Sequence, residues 1–276
     1  MRYVPHSLAL ATQVDVLPLD ARVERRDGYT VVRSPTNPTH YFGNLLIFDD
    51  PPAPGDGERW ESLFADELGV NPRIRHRTFA WDRTDGDRGA ADDELAARGY
   101  LLDDHVALVA RRGRLRPHPR ENTEVEIRTL DPAGDAELWA GVIDLQLANR
   151  EERFEETGHR VFLERRLEGL RDHFRAGRGA WYAALTPATG DVVASCGVVV
   201  TGGRGRYQLV DTAPAHRRRG IASRLVVEAG QRAEAQGAEQ LVIVADAHYH
   251  ALGLYESLGF ERRERALAAF RPPPPE

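Results

Sequence analysis

The stretch Arg217-Arg218-Arg219-Gly220-Ile221-Ala222 decides how this 276-residue chain is interpreted. It follows an apolar, strand-like run that ends near Thr212, and it opens a helix that begins near Arg219. A glycine in such a turn lets the backbone approach a ligand closely. The first N–H groups of the helix and the helix dipole add partial positive charge at the same place. With three arginines beside it, the turn is predicted to bind a pyrophosphate, which indicates a nucleotide-type cofactor.

The composition is that of a soluble globular protein with a sizeable core, since 41% of the residues are hydrophobic and 29% are charged. No apolar run approaches the roughly 18 residues of a membrane helix, so we expect no membrane partner. The first residues show no basic region followed by an apolar core, so we expect no signal peptide. The net charge of −6 argues against a general nucleic-acid binder.

The cysteine and lysine contents restrict the chemistry. Cys196 is the only cysteine, which excludes an intramolecular disulfide and favours a reducing cytoplasm. Its apolar neighbours predict a buried structural thiol rather than a nucleophile. All 37 basic side chains are arginine, which we attribute to a GC-rich bacterial genome. The lack of lysine excludes a lysine nucleophile or Schiff base.

A break in the apolar periodicity divides the chain into two halves. Two prolines and five arginines between Arg111 and Arg120 predict an exposed linker. We therefore predict an N-terminal domain over residues 1–115, a linker over 116–122, a C-terminal domain over 123–270 and a disordered tail over 271–276.

Strands and helices are predicted in the same strand–helix–strand–helix–strand order in both halves. In the C-terminal half, strands are predicted at 124–129, 180–185, 192–201, 207–212 and 241–245, and helices at 135–150, 155–177 and 219–237. A short helix that ends near 258 and a last strand that ends at 270 follow them. In the N-terminal half, strands at 29–34, 41–48, 74–81 and 105–110 accompany helices at 58–68 and 94–98. The predicted fold class is α+β (mixed α/β), with two domains that each have a central mixed, mostly antiparallel sheet flanked by helices.

Two ordered motifs in the C-terminal half carry a family resemblance. Arg217-x-x-Gly220-x-Ala222 fits the (Arg/Gln)-x-x-Gly-x-(Gly/Ala) signature of the GNAT superfamily of N-acetyltransferases. The segment from Ala251 to Phe260 resembles that family's Ala-x-x-x-Tyr-x-x-x-Gly-Phe segment. The resemblance covers residues 123–270. It implies a GNAT-like domain that uses acetyl-CoA as co-substrate and moves the acetyl group to an amine of a small molecule or a protein by direct attack.

The resemblance also implies which residues bind the donor. The arginine loop would hold the CoA pyrophosphate through backbone amides and arginine side chains, and the end of the preceding strand would pair with the pantetheine arm. His248 stands where the family commonly has an asparagine, and an imidazole can also donate a hydrogen bond. The implied cofactor-binding residues are Val210, Asp211, Thr212, Arg217, Arg218, Arg219, Gly220, Ile221, Ala222, His248 and Tyr255.

Two residues are candidates for the proton transfers. Tyr255 occupies the family's usual acid position and would protonate the departing thiolate, although its spacing from Leu252 and Leu258 is also typical of a core tyrosine. Asp211 is the candidate base. The alternatives are a carboxylate that caps the turn or pairs with an arginine, and a water chain that acts as the base. His248 and His250 lack the further ligands of a metal site, so no metal is expected.

The N-terminal half is expected to be a GNAT-like domain without a cofactor site. Where the arginine loop should be, it has Pro51–Gly57, in which three prolines remove N–H donors, and aspartates in and before this loop repel phosphate. Leu95 stands at the position that matches Tyr255. This half resembles the degenerate domain of tandem-domain acetyltransferases.

Two other functions remain open at this point: a non-catalytic CoA-binding sensor or scaffold, and an acyltransferase that uses another acyl-CoA. The acidic positions between Glu151 and Glu156 could attract a cationic amine or form a solvated charge run. We expect a cytoplasmic monomer or homodimer.

Overall fold

The computed structural model describes residues 4–152, 154–248 and 251–273. The helices are α1 (Leu8–Asp15), α2 (Asp56–Leu68), α3 (Ala91–Glu94), α4 (Ala136–Ala148), α5 (Glu156–Arg175), α6 (Ile221–Ala235) and α7 (Leu252–Ser257). The strands are β1 (Arg22–Arg26), β2 (Tyr29–Arg33), β3 (Leu45–Phe48), β4 (Arg77–Trp81), β5 (Leu101–Arg111), β6 (Glu126–Leu130), β7 (Gly179–Leu185), β8 (Val192–Thr201), β9 (Arg204–Thr212), β10 (Gln240–Asp246) and β11 (Glu261–Arg271). Within the described ranges, no helix has the length and apolar character needed to cross a bilayer.

The described residues form two compact units, and each unit combines segments that are distant in sequence. Unit 1 contains residues 4–107, 244–248 and 263–273, and unit 2 contains residues 108–152, 154–243 and 251–262. The predicted domains are continuous segments instead, so most of β11 lies in unit 1 although its residues belong to the predicted C-terminal domain. Arg271, the first residue of the predicted tail, is the last residue of β11 and pairs with Arg77 of β4. Residues 274–276 of that tail lie outside the described ranges.

Unit 1 is built on a mixed sheet in which β1, β2 and β3 are antiparallel neighbours. The chain then passes through α2 into β4, which runs parallel to β3. Strand β11 adds to β4 in the antiparallel sense, with Ala268 opposite Ala80. Trp60 of α2 stacks on Phe48 of β3 with ring centroids 3.7 Å apart. This stacked aromatic pair anchors the helix to the sheet.

Unit 2 repeats this order. Strands β6, β7, β8 and β9 form an antiparallel run, and α6 connects β9 to the parallel strand β10. The pairs described between β9 and β10 run from Arg204–Gln240 to Arg206–Val242, whereas β9 continues to Thr212. The predicted α+β class, with mixed and mostly antiparallel sheets flanked by helices, is confirmed.

The two faces of the unit 2 sheet carry different helices, because side chains alternate between the faces along a strand. A Cβ atom on Gly197 of β8 would contact Phe174 of α5. The neighbouring position, Val198, pairs with Tyr207, whose hydroxyl donates to the carbonyl oxygen of Val226 in α6 at 2.7 Å. Helix α4 packs beside α5. We call the side that carries these two helices the α4/α5 face.

Helix α5 begins at a side-chain cap. The Glu155 carboxylate accepts the N–H groups of Thr157 and Gly158 at 2.8 and 2.6 Å. These backbone hydrogen bonds, that of Gly158 above all, hold the pKa of Glu155 below its usual value. Glu155 is thus a helix cap. Val161, which the helical spacing predicts to be buried, is 39% exposed, and the buried stripe of α5 starts at Leu163 instead.

The segment Asn37–Asn44 is a structural turn. The buried Asn44 amide donates to the carbonyl oxygens of Asn37 and His40 at 2.9 and 3.1 Å, and its Oδ1 accepts the N–H of Ser34 at 3.0 Å. Because these bonds fold the chain back on itself, Tyr41–Gly43 is a 3-10 helix. The strand predicted over residues 41–48 is therefore confined to Leu45–Phe48.

Candidate functional site

The arginine loop joins the end of β9 to the start of α6. A single 3-10 turn, Pro214–His216, follows β9, and Arg217 is extended. Arg218 and Gly220 both adopt positive φ values, of +60° and +73°, and Gly220 is the residue that precedes the first turn of α6. The N–H groups of that first turn have no acceptor inside the helix. The loop therefore presents free backbone donors and the positive end of a 15-residue helix, which is the arrangement that binds anions.

Gly220 is required by a close contact with the chain's own backbone. A Cβ atom at this position would lie 2.1 Å from the carbonyl oxygen of Arg120 and 2.8 Å from the nitrogen of Asn122. From the sequence alone, the lack of a side chain at Gly220 predicts a close approach of a ligand to the backbone. The space that a side chain at position 220 would occupy is instead taken by the backbone of residues 120–122. The glycine therefore allows this segment to pack directly against the arginine loop.

The segment predicted as a linker, residues 116–122, lies within unit 2; it is exposed over most of its length but is bonded to other parts of that unit at both ends. The N–H of Arg116 donates to the carbonyl oxygen of Leu258 at 2.9 Å. The Asn122 N–H donates to the carbonyl oxygen of Gly220 at 3.1 Å, and its side-chain amide donates to that of Arg219 at 3.2 Å. Asn122 is itself buried. The start and the end of this segment are therefore structural parts of the loop's surroundings.

The three exposed arginines of the loop differ in their contacts. Arg217 donates to the side chain of Asn149 and to the carbonyl oxygen of Thr212. Arg219 lies 3.3 Å from the Glu124 carboxylate and 3.4 Å from Nδ1 of His216. The Arg218 side chain has no hydrogen bond or ion pair to any residue that the structure describes. Arg218 is thus the member whose guanidinium is not held by another described residue.

Strand β9 contains a bulge just before its end. Gly197 of β8 pairs with Gln208, whereas Ser195 pairs with Asp211, so β9 has one more residue than β8 between these pairs. Leu209 lies inside the bulge with a φ of +48°. Its carbonyl oxygen accepts the side-chain amide of Gln146 in α4 at 3.4 Å. The bulge turns the last residues of β9, including Val210 and Thr212, relative to the paired part of the strand.

Asp211 is half-buried beside this bulge, with its carboxylate near two polar groups. Burial raises the pKa of Asp211 from 3.8 to about 6, against the hydrogen bond from Gln146 and the positive charge of Arg217, which both lower it. The directly paired Ser195 is fully buried. A carboxyl group with this pKa changes its protonation state close to neutral pH.

Tyr255 lies in α7 within unit 2 and is 5% exposed. Its ring packs edge-on against Phe260 at 6.3 Å between centroids. His248 belongs to unit 1, where its N–H donates to the Asp246 carboxylate at 2.6 Å. His250 lies outside the described residues. Ile221 is buried and Ala222 is half-buried in the first turn of α6.

Two side chains near the site are not among the residues predicted from the sequence. They are Gln146 and Asn149, which lie three residues apart at the C-terminal end of α4. Gln146 contacts the bulge of β9 and Asp211. Asn149 accepts a hydrogen bond from the Arg217 side chain. Gln146 is 5% exposed and lies between the buried residues Leu145 and Leu147. A polar residue within such an apolar run is the signal that could have revealed it.

Cys196 is fully buried, and burial raises the pKa of its thiol far above the usual value. This thiol is not in the reactive thiolate form near neutral pH. The structural role predicted for Cys196 is consistent with this environment.

The corresponding loop of unit 1 is filled by carboxylates of the chain itself. At the start of α2, the Glu94 carboxylate accepts the N–H groups of Gly55 and Gly57 at 2.7 and 3.3 Å. Asp56 accepts the N–H of Ala53 at 2.9 Å. Backbone donors that could bind phosphate are therefore already bonded to anions. Leu95, the counterpart of Tyr255, is fully buried.

Comparison with known proteins identifies part of unit 2. Residues 177–262 match the family model described as "Acetyltransferase (GNAT) domain". This match includes β8, β9, the arginine loop, α6, β10 and α7. No curated protein matches the chain.

Several solved structures share the fold over nearly the whole chain. A functionally unknown conserved protein from Staphylococcus epidermidis has 13% sequence identity and a TM-score of 0.69, over 92% of this chain and 94% of its own. A GCN5-related N-acetyltransferase from Kribbella flavida has 16% identity and a TM-score of 0.63, over 96% and 94%. A tandem GNAT protein from the clavulanic acid biosynthesis pathway has 14% identity and a TM-score of 0.57, over 99% and 91%. At these identities the likeness shows a shared fold.

Proposed function

We propose that this chain is an N-acetyltransferase. Its GNAT acetyltransferase domain and its likeness in fold to a tandem GNAT protein support an acyl-CoA-dependent acyltransferase activity. It transfers the acetyl group of acetyl-CoA to an amine of a small molecule or a protein by direct attack. The observation that carries this proposal is the arrangement at the end of β9. A carboxyl group with a near-neutral pKa lies near the end of β9, and the loop suited to bind pyrophosphate begins six residues later, on the connection to α6.

The arginine loop fits the diphosphate of acetyl-CoA. The first-turn N–H groups of α6 provide donors that need no rearrangement, and the guanidinium of Arg218, which no other described residue holds, adds a charge-assisted contact. Arg217, bonded to Asn149 and Thr212, keeps the start of the loop in place. The end of β9 beyond its described pairs with β10 has backbone groups for the pantetheine arm.

Asp211 is the base in this proposal. An ammonium group must lose a proton before its nitrogen can attack the acetyl carbonyl carbon, and a carboxylate with a pKa of about 6 accepts that proton near neutral pH. The alternative of an ion-paired carboxylate would give Asp211 a lowered pKa, whereas burial outweighs the effect of Arg217 and raises it. As the C–S bond breaks, Tyr255 gives its phenolic proton to the thiolate.

Replacing Asp211 with asparagine is expected to lower kcat about 100-fold, within the usual range for the loss of a general base. In the wild type, kcat should rise with pH through about 6 as Asp211 loses its proton, and this rise should disappear in the variant. Steady-state rates between pH 5 and 8 measure both effects. A wild-type profile without this rise, or a variant that retains it, would identify a different base.

The same substitution should stabilise the protein. The folded state raises the pKa of Asp211 above its value in the unfolded chain, so the folded state binds more protons between pH 4 and 6 and loses stability as the pH rises through that interval. Asparagine carries no charge to be buried. Asp211→Asn should therefore raise the Tm by a larger amount at pH 8 than at pH 5, as measured by thermal unfolding.

Replacing Arg218 with alanine should weaken acetyl-CoA binding about 10-fold, which corresponds to one charge-assisted hydrogen bond of about 1.5 kcal/mol. The loss should shrink as salt is added, because the side chain is exposed. Calorimetric titrations at two salt concentrations give both values. Arg112→Ala removes an equally exposed arginine from the same unit and serves as the control. Equal affinities for the two variants would contradict the assignment.

Calorimetry with acetyl-CoA, together with a thiol-release assay over a panel of amines, tests the function as a whole. Acetyl-CoA binding and amine-dependent CoA release are expected. Tight binding without release across the panel would favour a sensor or scaffold. Faster release from longer acyl-CoA donors would favour a different acyltransferase.

A further inference from the structure

Gln146 is a polar side chain on an apolar side of α4. It is 5% exposed, and its neighbours Leu145 and Leu147 are both buried. Val142, one turn earlier on the same side of the helix, is fully buried. A buried amide costs free energy unless its hydrogens find acceptors. The acceptors of the Gln146 amide therefore indicate the role of this residue.

Two acceptors of the Gln146 amide lie at the end of β9. Its Nε2 carries two hydrogens. This nitrogen is 3.4 Å from the carbonyl oxygen of Leu209, and it also donates to the Asp211 carboxylate. Since only Val210 separates these two acceptors along the strand, the amide bonds α4 to the short segment that contains the candidate base.

Leu209 has a backbone conformation that depends on support from its surroundings. Its φ of +48° lies in the left-handed region, where the Cβ atom of a leucine approaches the backbone too closely. Such conformations persist where the surrounding contacts hold them. The Gln146 amide bonds the carbonyl oxygen of this same residue, and a bulge sets the direction of the side chains beside it. Gln146 thus supports the bulge that orients Asp211.

A second contact fixes the end of α4 beyond Asp211. The Asn149 side chain, one turn after Gln146, accepts a hydrogen bond from Arg217 through Oδ1. Its amide nitrogen donates within the helix, to the carbonyl oxygen of Leu145 at 3.0 Å, so the orientation of this amide is set. The last turn of α4 is therefore bonded to β9 before Asp211 and to the arginine loop after it.

Three influences act on the pKa of Asp211. Burial raises this pKa, whereas the hydrogen bond from Gln146 and the positive charge of Arg217 lower it. Gln146 is therefore the neutral group, and Arg217 the charged one, that favours the ionised carboxylate. Charged residues on the helices of the α4/α5 face have contacts elsewhere, since Asp144 pairs with Arg160 at 2.9 Å and Arg166 donates to Gln208 at 2.8 Å.

From these contacts we propose that Gln146 is a positioning residue for acetyl transfer, which holds the β9 bulge and the Asp211 carboxylate in one arrangement. The inference rests on the proposed function, in which Asp211 takes a proton from the attacking amine. Because the amide donates to the ionised carboxylate, it restricts the orientation of that group and favours its proton-accepting form. Without this hydrogen bond, Asp211 would stay protonated to a higher pH.

An NMR titration of the wild-type protein between pH 4 and 9 tests the contact directly. The carboxyl carbon of Asp211, identified by its loss in Asp211→Asn, should titrate with a midpoint at about pH 6. The two Nε2 hydrogens of Gln146 should change their chemical shifts with the same midpoint, because they donate to this group. The measurement does not depend on the transfer of an acetyl group.

Gln146→Met keeps the length of the side chain and removes its donor. The midpoint of Asp211 should rise by about one pH unit, the effect of losing one hydrogen bond to a charged group. The rise of kcat with pH should move by the same amount, while the Kd of acetyl-CoA stays unchanged. At about 1 M salt, where the Debye length is about 3 Å, the difference from wild type should persist, because the amide is neutral.

Asp144→Asn is the matched control on α4. This carboxylate lies two residues before Gln146, is exposed and pairs with Arg160, so its loss should leave the midpoint of Asp211 and the kcat profile unchanged. A shift in Asp144→Asn as large as that in Gln146→Met would mean that any change in α4 moves the midpoint, and would overturn the specific role of Gln146.

Gln146 hydrogens that do not follow the titration of Asp211 would overturn the proposal, as would a folded Gln146→Met variant with the wild-type midpoint. If Gln146→Met does not fold, the wild-type titration of the Gln146 amide is the deciding measurement. A midpoint shift without acetylation of any amine would contradict the proposed function and retain the link between Gln146 and Asp211. A midpoint shift that the kcat profile does not follow would identify another base and overturn the positioning role.

Discussion

Replacing Gly220 with alanine is expected to weaken acetyl-CoA binding at least 30-fold and to lower the Tm. A methyl group would lie 2.1 Å from the carbonyl oxygen of Arg120, so either the loop or residues 120–122 must move. The positive φ of Gly220 adds strain of about 1 kcal/mol or more for any residue with a side chain. The displaced N–H groups would then no longer converge on one anion. Calorimetry and thermal unfolding measure the two effects.

Gly202→Ala is the matched control for this variant. Gly202 also has a positive φ, of +55°, but no described atom lies within 4 Å of the position of its Cβ atom. It should therefore show the backbone strain without the displacement, as a lower Tm with unchanged acetyl-CoA affinity. If Gly220→Ala behaves in the same way as Gly202→Ala, the support from residues 120–122 is not needed for binding.

Replacing Tyr255 with phenylalanine should lower kcat about 100-fold and change the Kd of acetyl-CoA little. The variant retains the ring that packs against Phe260 and loses only the proton that the departing thiolate would receive. Steady-state rates at saturating acetyl-CoA and amine, together with calorimetric titration, separate turnover from binding.

Tyr207→Phe controls for the loss of a buried hydroxyl. Tyr207 donates to the carbonyl oxygen of Val226, so its variant should lose about 1 kcal/mol of stability and keep its turnover. A Tyr255→Phe variant with wild-type kcat would show that Tyr255 is the core residue that its helical spacing also allows.

The local part of the candidate site could be predicted from the sequence. The arginine loop and the first turn of α6 are contiguous, so the pattern from Arg217 to Ala222 contains the turn and the donors of the helix end. The fold class was likewise accessible, because the strands and helices of unit 2 have clear periodicity. Asp211 was found because it ends the strand that leads into this loop.

The contributions of distant segments could not be predicted in this way. Gln146 and Asn149 reach β9 and Arg217 only because α4 packs on the sheet. The apolar run around Gln146 marks an unusual polar position, but it does not indicate the partner of that side chain. The pKa of Asp211 depends on burial, which is a property of the folded chain. The close approach of Arg120 to Gly220 joins positions 100 residues apart.

The lack of an anion site in unit 1 is predicted from prolines, and the structure shows a second feature that acts against anion binding there. Glu94 lies far from Gly55 in sequence and accepts its N–H across the start of α2. Proline removes donors, whereas this carboxylate occupies the donors that remain. A sequence pattern can reveal the first effect and not the second.

The position of β11 in unit 1 has a consequence for biosynthesis. Residues 268–271 pair with β4, whose own residues end at Trp81. A ribosome therefore makes this strand only after residues 82–260, which include most of unit 2, have been made. We expect unit 1 to remain incomplete during translation, and a fragment that ends at residue 115 to be exposed to aggregation through the open edge of β4. Unit 1 is thus begun before unit 2 and completed after it.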